Sequence, residues 1–201
     1  MTTTEALTQV DASARAQSGL ADGLDRDLVA KIGQGDRDAF AELCTRHQLR
    51  LFYYVLRLIG DRETAEEVLQ DTLIAVWNGA GKFEGRSTVN TWLVAIARRQ
   101  AHNTLRRRAL PQADLAELES LPTSASGPED LALANAEREV LAAALQRLSP
   151  AHSEALVLAF VHGLSYQEMA QIVGVPEGTI KSRLSNAKRA LRALLEQERS
   201  Q

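Results

Sequence analysis

Residues 163–195, GLSYQEMAQIVGVPEGTIKSRLSNAKRALRALL, leave little choice of local structure. Ser165 and Glu168 stand at the spacing of a capping box, in which each side chain bonds a free backbone N–H of the other's segment and so fixes a helix start. Leu164 and Met169 are placed to close a hydrophobic staple across that start. The helix is expected to end at Val173, because Gly174 is a natural stop and Pro176 sets the start of the following helix. Two helices joined by so tight a turn make a helix-turn-helix. At about 100° per residue, the second helix gathers Ile180, Leu184, Ala187, Leu191 and Leu194 on one side, which is expected to pack on the domain. The opposite side carries Ser182, Ser185, Asn186 and Arg189. Lys181 and Arg192 lie on one shoulder, and Arg183 and Lys188 lie nearer the seam.

Charge sharpens that picture. The net charge of the whole chain is only −3, but five basic residues and no acid lie between Gly178 and Leu195, and six arginines and no acid lie between Arg86 and Arg108. Residues 109–139 separate these blocks with seven acids and a single arginine, Arg138. Phosphates meet the local field, not the average. A merely solvated face usually mixes Glu with Lys to gain (i, i+4) pairs. Short polar groups around one Arg, flanked by cations, instead suit base edges and phosphates in a major groove.

An all-α fold follows from composition: 4% aromatic residues, with Ala, Leu, Arg and Glu recurring throughout. Two small helical domains joined by a flexible linker are expected. Residues 1–24 read as a polar tail, with ordered chain starting near Asp25 as a helix cap. Helical periodicity continues through Phe40, Leu43, Leu51, Val55 and Leu58, then from a cap at Asp61 through Ala65, Val68, Leu69, Thr72 and Val76. A glycine-containing loop follows, then a helix from about Val89 to Arg107, completing a unit over 25–108. Residues 109–134 hold three of the five prolines and read as an acidic linker. The unit over 135–198 is expected to be four short helices, one of them opened by Ser149-Pro150.

The helix from Asp61 to Trp77 turns Glu67, Gln70, Asp71 and Ile74 away from its apolar face, flanked by Glu66 and Trp77. Exposed Ile and Trp among acids fit an interface with a basic partner helix. Burial of Ile74 and Trp77 by the first helices of the same unit is the alternative. Cys44 and His47 share a helical face, but with no second ligand pair a packed pair is expected and no metal or other cofactor. The four histidines form no nucleophile–base or metal pattern, so no enzyme is expected. No apolar run approaches the roughly 20 residues of a spanning helix, and the polar start lacks the core of a signal peptide, so a cytoplasmic protein is expected.

Taken together, these segments resemble the extracytoplasmic-function sigma factors of the sigma-70 family. GLSYQEMAQIVGVPEGTIKSRLSNAKRALR is similar to region 4, ETAEEVLQDTLIAVW to part of region 2, and KFEGRSTVNTWLVAIARRQAHNTLRRR to the segment that reads and opens the promoter. The resemblance implies that the C-terminal domain binds the −35 element through Thr179, Lys181, Ser182, Arg183, Ser185, Asn186, Lys188 and Arg189. It implies −10 binding by Lys82, Phe83, Arg86, Ser87 and Thr88, with an unpaired base captured in the loop Lys82 to Val89, beside Asn90, Arg98, Arg99, Asn103 and Arg106 on the following helix. Glu66, Glu67, Gln70, Asp71, Ile74 and Trp77 would then meet the clamp helices of the largest core RNA polymerase subunit, with the flap region as a second polymerase contact. An anti-sigma factor is the further partner implied. Asn186 stands where an arginine is frequent, so the preferred promoter is the chain's own. The competing expectation is a helix-turn-helix activator with a helical sensor domain.

Overall fold

The computed structural model describes residues 20–109, 144–145 and 147–199, and every regular element among them is helical. α1 spans residues 20–32. It begins inside the expected tail, and Asp25 is not its cap. The Asp25 carboxylate is buried between α1 and α2, accepting from Arg46 Nη1 and lying against His47 Nε2, each at 2.7 Å. Burial works to raise this carboxyl, but the hydrogen bonds and charges of His47 and Arg46 prevail and hold it below its usual range. A local pattern cannot display such partners, which lie 21 and 22 residues away.

α2, Arg37–Ile59, starts on Asp36, whose side chain accepts from the N–H groups of Asp38 and Ala39, and stops at Gly60 with φ 80°. α3, Arg62–Gly79, starts on Asp61 and buries Thr64, Ala65, Val68, Thr72 and Val76. A 3₁₀ turn over Ala80–Lys82 leads into the loop that precedes α4, Val89–Ala109. The glycines of the α1–α2 turn and this 3₁₀ turn approach so closely that a Cβ on Gly33 would come 2.9 Å from Gly81 Cα.

The chain resumes at 144–145, so the linker and nearly all of the first expected C-terminal helix lie outside the described residues. α5, Pro150–Leu156, is capped by Ser149 and widens into a π-helical turn over Val157–Val161, where His162 N–H reaches back to Val157 O. α6, Tyr166–Val173, carries the capping box, with Gly174 at φ 76° as its stop. α7, Glu177–Arg199, is longer than the short helix expected, at 23 residues.

The two helical units pack on one another and share a buried interior. Leu43, Tyr54, Val55, Leu93 and Ala97 from the first unit are continuous with Leu148, Leu156, Leu158, Met169 and Ile180 from the second. Tyr54 is fully buried at this seam, with its ring edge-on to His162 at 5.5 Å. Its hydroxyl donates to Glu154 at 3.0 Å, and Arg98 Nε donates to the same oxygen at 2.8 Å. Arg57 extends from α2 to the Ser153 hydroxyl and the Leu145 carbonyl. Apolar burial supplies most of the stabilisation, and the carboxylate and its donors fix the register.

Candidate nucleic-acid interface

α7 has the two-sided character its sequence implies. Ile180, Leu184 and Ala187 are buried, with Leu191 and Leu194 packed at the margin. Lys181, Ser182, Ser185, Asn186, Lys188, Arg189 and Arg192 are exposed, and Thr179 and Arg183 are half-buried beside the seam. Arg189 Nη2 donates to Asn186 Oδ1 at 2.7 Å, which aligns two of the base-reading candidates as one unit. Lys181 is tied to Glu177 at 2.8 Å and lies 5.6 Å from the Tyr166 ring. Lys188 sits over Phe160 at 5.2 Å. The cations at the helix-turn-helix margin are therefore braced, and Ser182, Ser185 and Asn186 present short polar groups between them.

The second basic block is organised differently. Ala95, Arg98, Arg99, His102, Asn103 and Arg106 of α4 line a groove, together with Ile172 of α6. Burial lowers the pKa of His102, and the adjacent Arg98 charge adds to the shift, so the groove's charge comes from its arginines. Arg99 and Arg106 are exposed, while Arg98 is held by Glu154. Asn90 Nδ2 donates to the His162 carbonyl at 2.7 Å. Thr91 and Thr88 donate to Glu168 at 2.6 and 3.3 Å. Burial works to raise the Glu168 carboxyl, but hydrogen bonds from Thr91, Ser165 and Thr88 outweigh it and leave it below its usual range.

The structure thus brings the α4 residues together but turns Thr88, Asn90 and Arg98 toward the C-terminal unit. Within the loop, Arg86 is exposed and paired with Glu84 at 3.0 Å. Lys82 is exposed, and Ser87 is half-buried. Phe83 is half-buried and packs on Trp92 with ring centroids 4.9 Å apart.

On α3, Glu66, Glu67, Gln70, Asp71 and Ile74 are all exposed, Ile74 at 59%. Trp77 is a correction to the expected open face: Phe40 of α2 packs edge-on against it at 5.2 Å, leaving it half-buried. Cys44 is half-buried, and His47 is committed to Asp25. No group of three or more metal-binding side chains occurs among the described residues, and none of their helices is long and apolar enough to cross a membrane.

Tyr54, Arg57 and Glu154 had no place among the residues singled out by sequence, and Glu168 was read there only as half of the capping box, not as the acceptor for Thr88 and Thr91. A signal existed for Glu154, a lone acid in the apolar run AHSEALVLAF, since an acid there needs a buried partner.

Comparison with known proteins agrees with this architecture. The family model for sigma-70 region 2 matches residues 43–110, and the model for sigma-70 region 4 matches residues 138–191. The chain is 34% identical over 167 residues to RNA polymerase sigma factor CarQ of Myxococcus xanthus, covering 83% of this chain and 95% of that protein. It is 31% identical over 176 residues to the ECF RNA polymerase sigma-E factor of Escherichia coli (strain K12), covering 83% and 92%. Among solved structures, the sigma factor RpoE from Bartonella quintana, in complex with the anti-sigma factor NepR, aligns with a TM-score of 0.62 and 29% identity over 78% of this chain and 96% of that one. With both regions matched in order and similarity running through most of its length, the chain belongs to the extracytoplasmic-function sigma factors of the sigma-70 family.

Proposed function

We propose that this sigma factor binds core RNA polymerase and directs it to promoters by recognising two DNA elements with its two helical units. The observation that carries this reading is α7, a helix with one wholly apolar seam and an opposite face of short polar and basic side chains. Ser182, Ser185, Asn186 and Arg189 read base edges of the −35 element, and Thr179, Lys181, Arg183 and Lys188 hold its phosphates. The unit over 25–108, extended back to residue 20, engages the −10 element. Lys82, Arg86, Ser87 and Thr88 border the captured base, Phe83 supports the loop from behind, and Asn90, Arg98, Arg99, Asn103 and Arg106 follow the unpaired strand. The acidic residues of α3 with Ile74 meet the clamp helices, with Trp77 buttressing Ile74's helix from inside, and the C-terminal unit meets the flap region.

The protein performs no covalent chemistry. Its mechanism is a shift of equilibrium: α7 sets position on duplex DNA, and capture of unpaired −10 bases favours the melted state. Thr88, Asn90 and Arg98 are occupied by the C-terminal unit in the packed arrangement, so the two units must part before α4 follows DNA. The protein works in the cytoplasm, and by analogy with the RpoE–NepR complex an anti-sigma factor is a further partner. The test is in vitro transcription with purified protein and a bacterial core polymerase on fragments of the source genome, with RNA 5′ ends mapped. Discrete starts that require the protein and share upstream elements support the reading. Footprints on duplex DNA by the protein alone, with no starts from any competent core, would instead favour the activator.

A further inference from the structure

We propose that Arg26, backed by Asp22, is a positioning residue for the −10 reading loop, so that α1 sets the shape in which the loop meets its base. The inference rests on the reading that the loop Lys82 to Val89 captures an unpaired base. Arg26 places its guanidinium inside the bend of that loop. Nη1 donates to the Gly85 carbonyl at 3.1 Å, Nη2 donates to the Ser87 carbonyl at 2.7 Å, and Nε pairs with Asp22 Oδ2 at 2.6 Å. The other Asp22 oxygen accepts from Val89 N–H at 2.7 Å, one of the donors left free at the start of α4. One (i, i+4) pair therefore grips both the middle of the loop and its exit into the helix.

Two further observations give the grip a direction. The Arg26 guanidinium lies 5.7 Å from the Phe83 ring, which also packs on Trp92, so the loop is held at its entry as well. Gly85 sits at φ 70°, and a Cβ there would come 2.6 Å from Arg26 Nη1. The backbone turn therefore favours glycine, and a side chain there would also displace the end of the arginine fork. With two of its carbonyls turned onto Arg26, the loop leaves the Arg86 side chain 84% exposed, paired with Glu84. A lysine could supply the charge but not the fork that spans two carbonyls and a carboxylate. Neither Asp22 nor Arg26 falls within the residues matched as region 2, which begin at 43.

The test uses holoenzyme assembled from the full chain and core polymerase, with fork-junction DNA whose −10 strand is unpaired and varied base by base. Arg26→Ala and Arg26→Lys are compared with the unsubstituted protein by competition binding, and binding to duplex −35 DNA serves as the measure of folded protein. For both variants, discrimination between the preferred base and the others at the captured position is expected to fall by about tenfold, the scale of one lost oriented contact, with −35 binding unchanged. Asp22→Asn is expected to give a smaller loss of the same kind. A merely structural arginine would lower the active fraction and leave the base preference intact, and that result overturns the positioning role. Loop variants separate this from failure of the underlying reading. If Arg86→Ala and Ser87→Ala also leave the preference unchanged, the loop is not the reader. If they alter it and Arg26→Ala does not, only the positioning role falls.

Discussion

Truncating Glu154 is expected to loosen the contact between the two helical units without unfolding either. The Glu154 side chain is 9% exposed, and it is met by Arg98 at 21% exposure and by the fully buried Tyr54. In Glu154→Ala the Tyr54 hydroxyl loses its acceptor in a dry environment, at a cost of about 1–3 kcal/mol, and a charge-assisted hydrogen bond of about 1.5–3 kcal/mol is lost from Arg98. Arg98 also lines the open groove and can swing toward water, so the second figure is discounted by roughly half and the total is about 2–4 kcal/mol. At 2 kcal/mol the equilibrium between packed and parted units shifts about 30-fold. Amide exchange reads this directly: α5 and the facing turn of α2 should exchange about 30-fold faster or more, while amides between α3 and α4 keep their protection. Glu154→Gln keeps an acceptor for both donors and should show a smaller shift in the same place. Unchanged exchange at the α2–α5 contact would refute the pair's role, and a uniform loss across both units would show that Glu154 is an ordinary core residue.

Three other perturbations test separate parts of the molecule. His162 is held near pKa 4, first by burial and then by the charges of Arg50 and His47. Its folded-state pKa is depressed, so its contribution is complete above about pH 6.5 and is lost as pH falls through the window down to about 4. Between pH 7 and pH 5 roughly 2 kcal/mol of stability should disappear, and in chemical denaturation His162→Gln should flatten that slope; an equal slope in the variant would remove His162 as the source. Ile74→Glu alters a largely exposed side chain and should leave Tm within a degree or two while weakening core polymerase binding at least tenfold in a pull-down titration; unchanged binding would move the interface off this face. Arg189→Ala should weaken −35 duplex binding by about 1–3 kcal/mol with relaxed preference at one base pair, whereas an equal loss on every sequence would assign Arg189 to phosphate.

The parts of this protein legible in its sequence are those whose causes are local. The Ser165–Glu168 box, the left-handed stop at Gly174 and the buried seam Ile180, Leu184 and Ala187 all follow from residues within one or two turns of each other. So do the cap at Asp61 and the buried face of α3. Asp25 looked like a cap because an Asp before an apolar run is one, and only the fold reveals that its partners are Arg46 and His47. Trp77 looked exposed for the same reason: a helical wheel sees one neighbour, and Phe40 arrives as the second.

Periodicity, capping and charge order pointed to an all-helical chain of two units, with a helix-turn-helix and a basic helix face in the second. Tertiary structure alone decided that Arg26 of α1 sits in the bend of a loop 59 residues away, and that Glu154 meets Tyr54 and Arg98 across the seam. The physical reason is the range of the forces. Backbone hydrogen bonds and helical spacing act within a few residues, whereas a buried carboxylate or guanidinium is satisfied by whatever donor or acceptor the packed chain delivers to it.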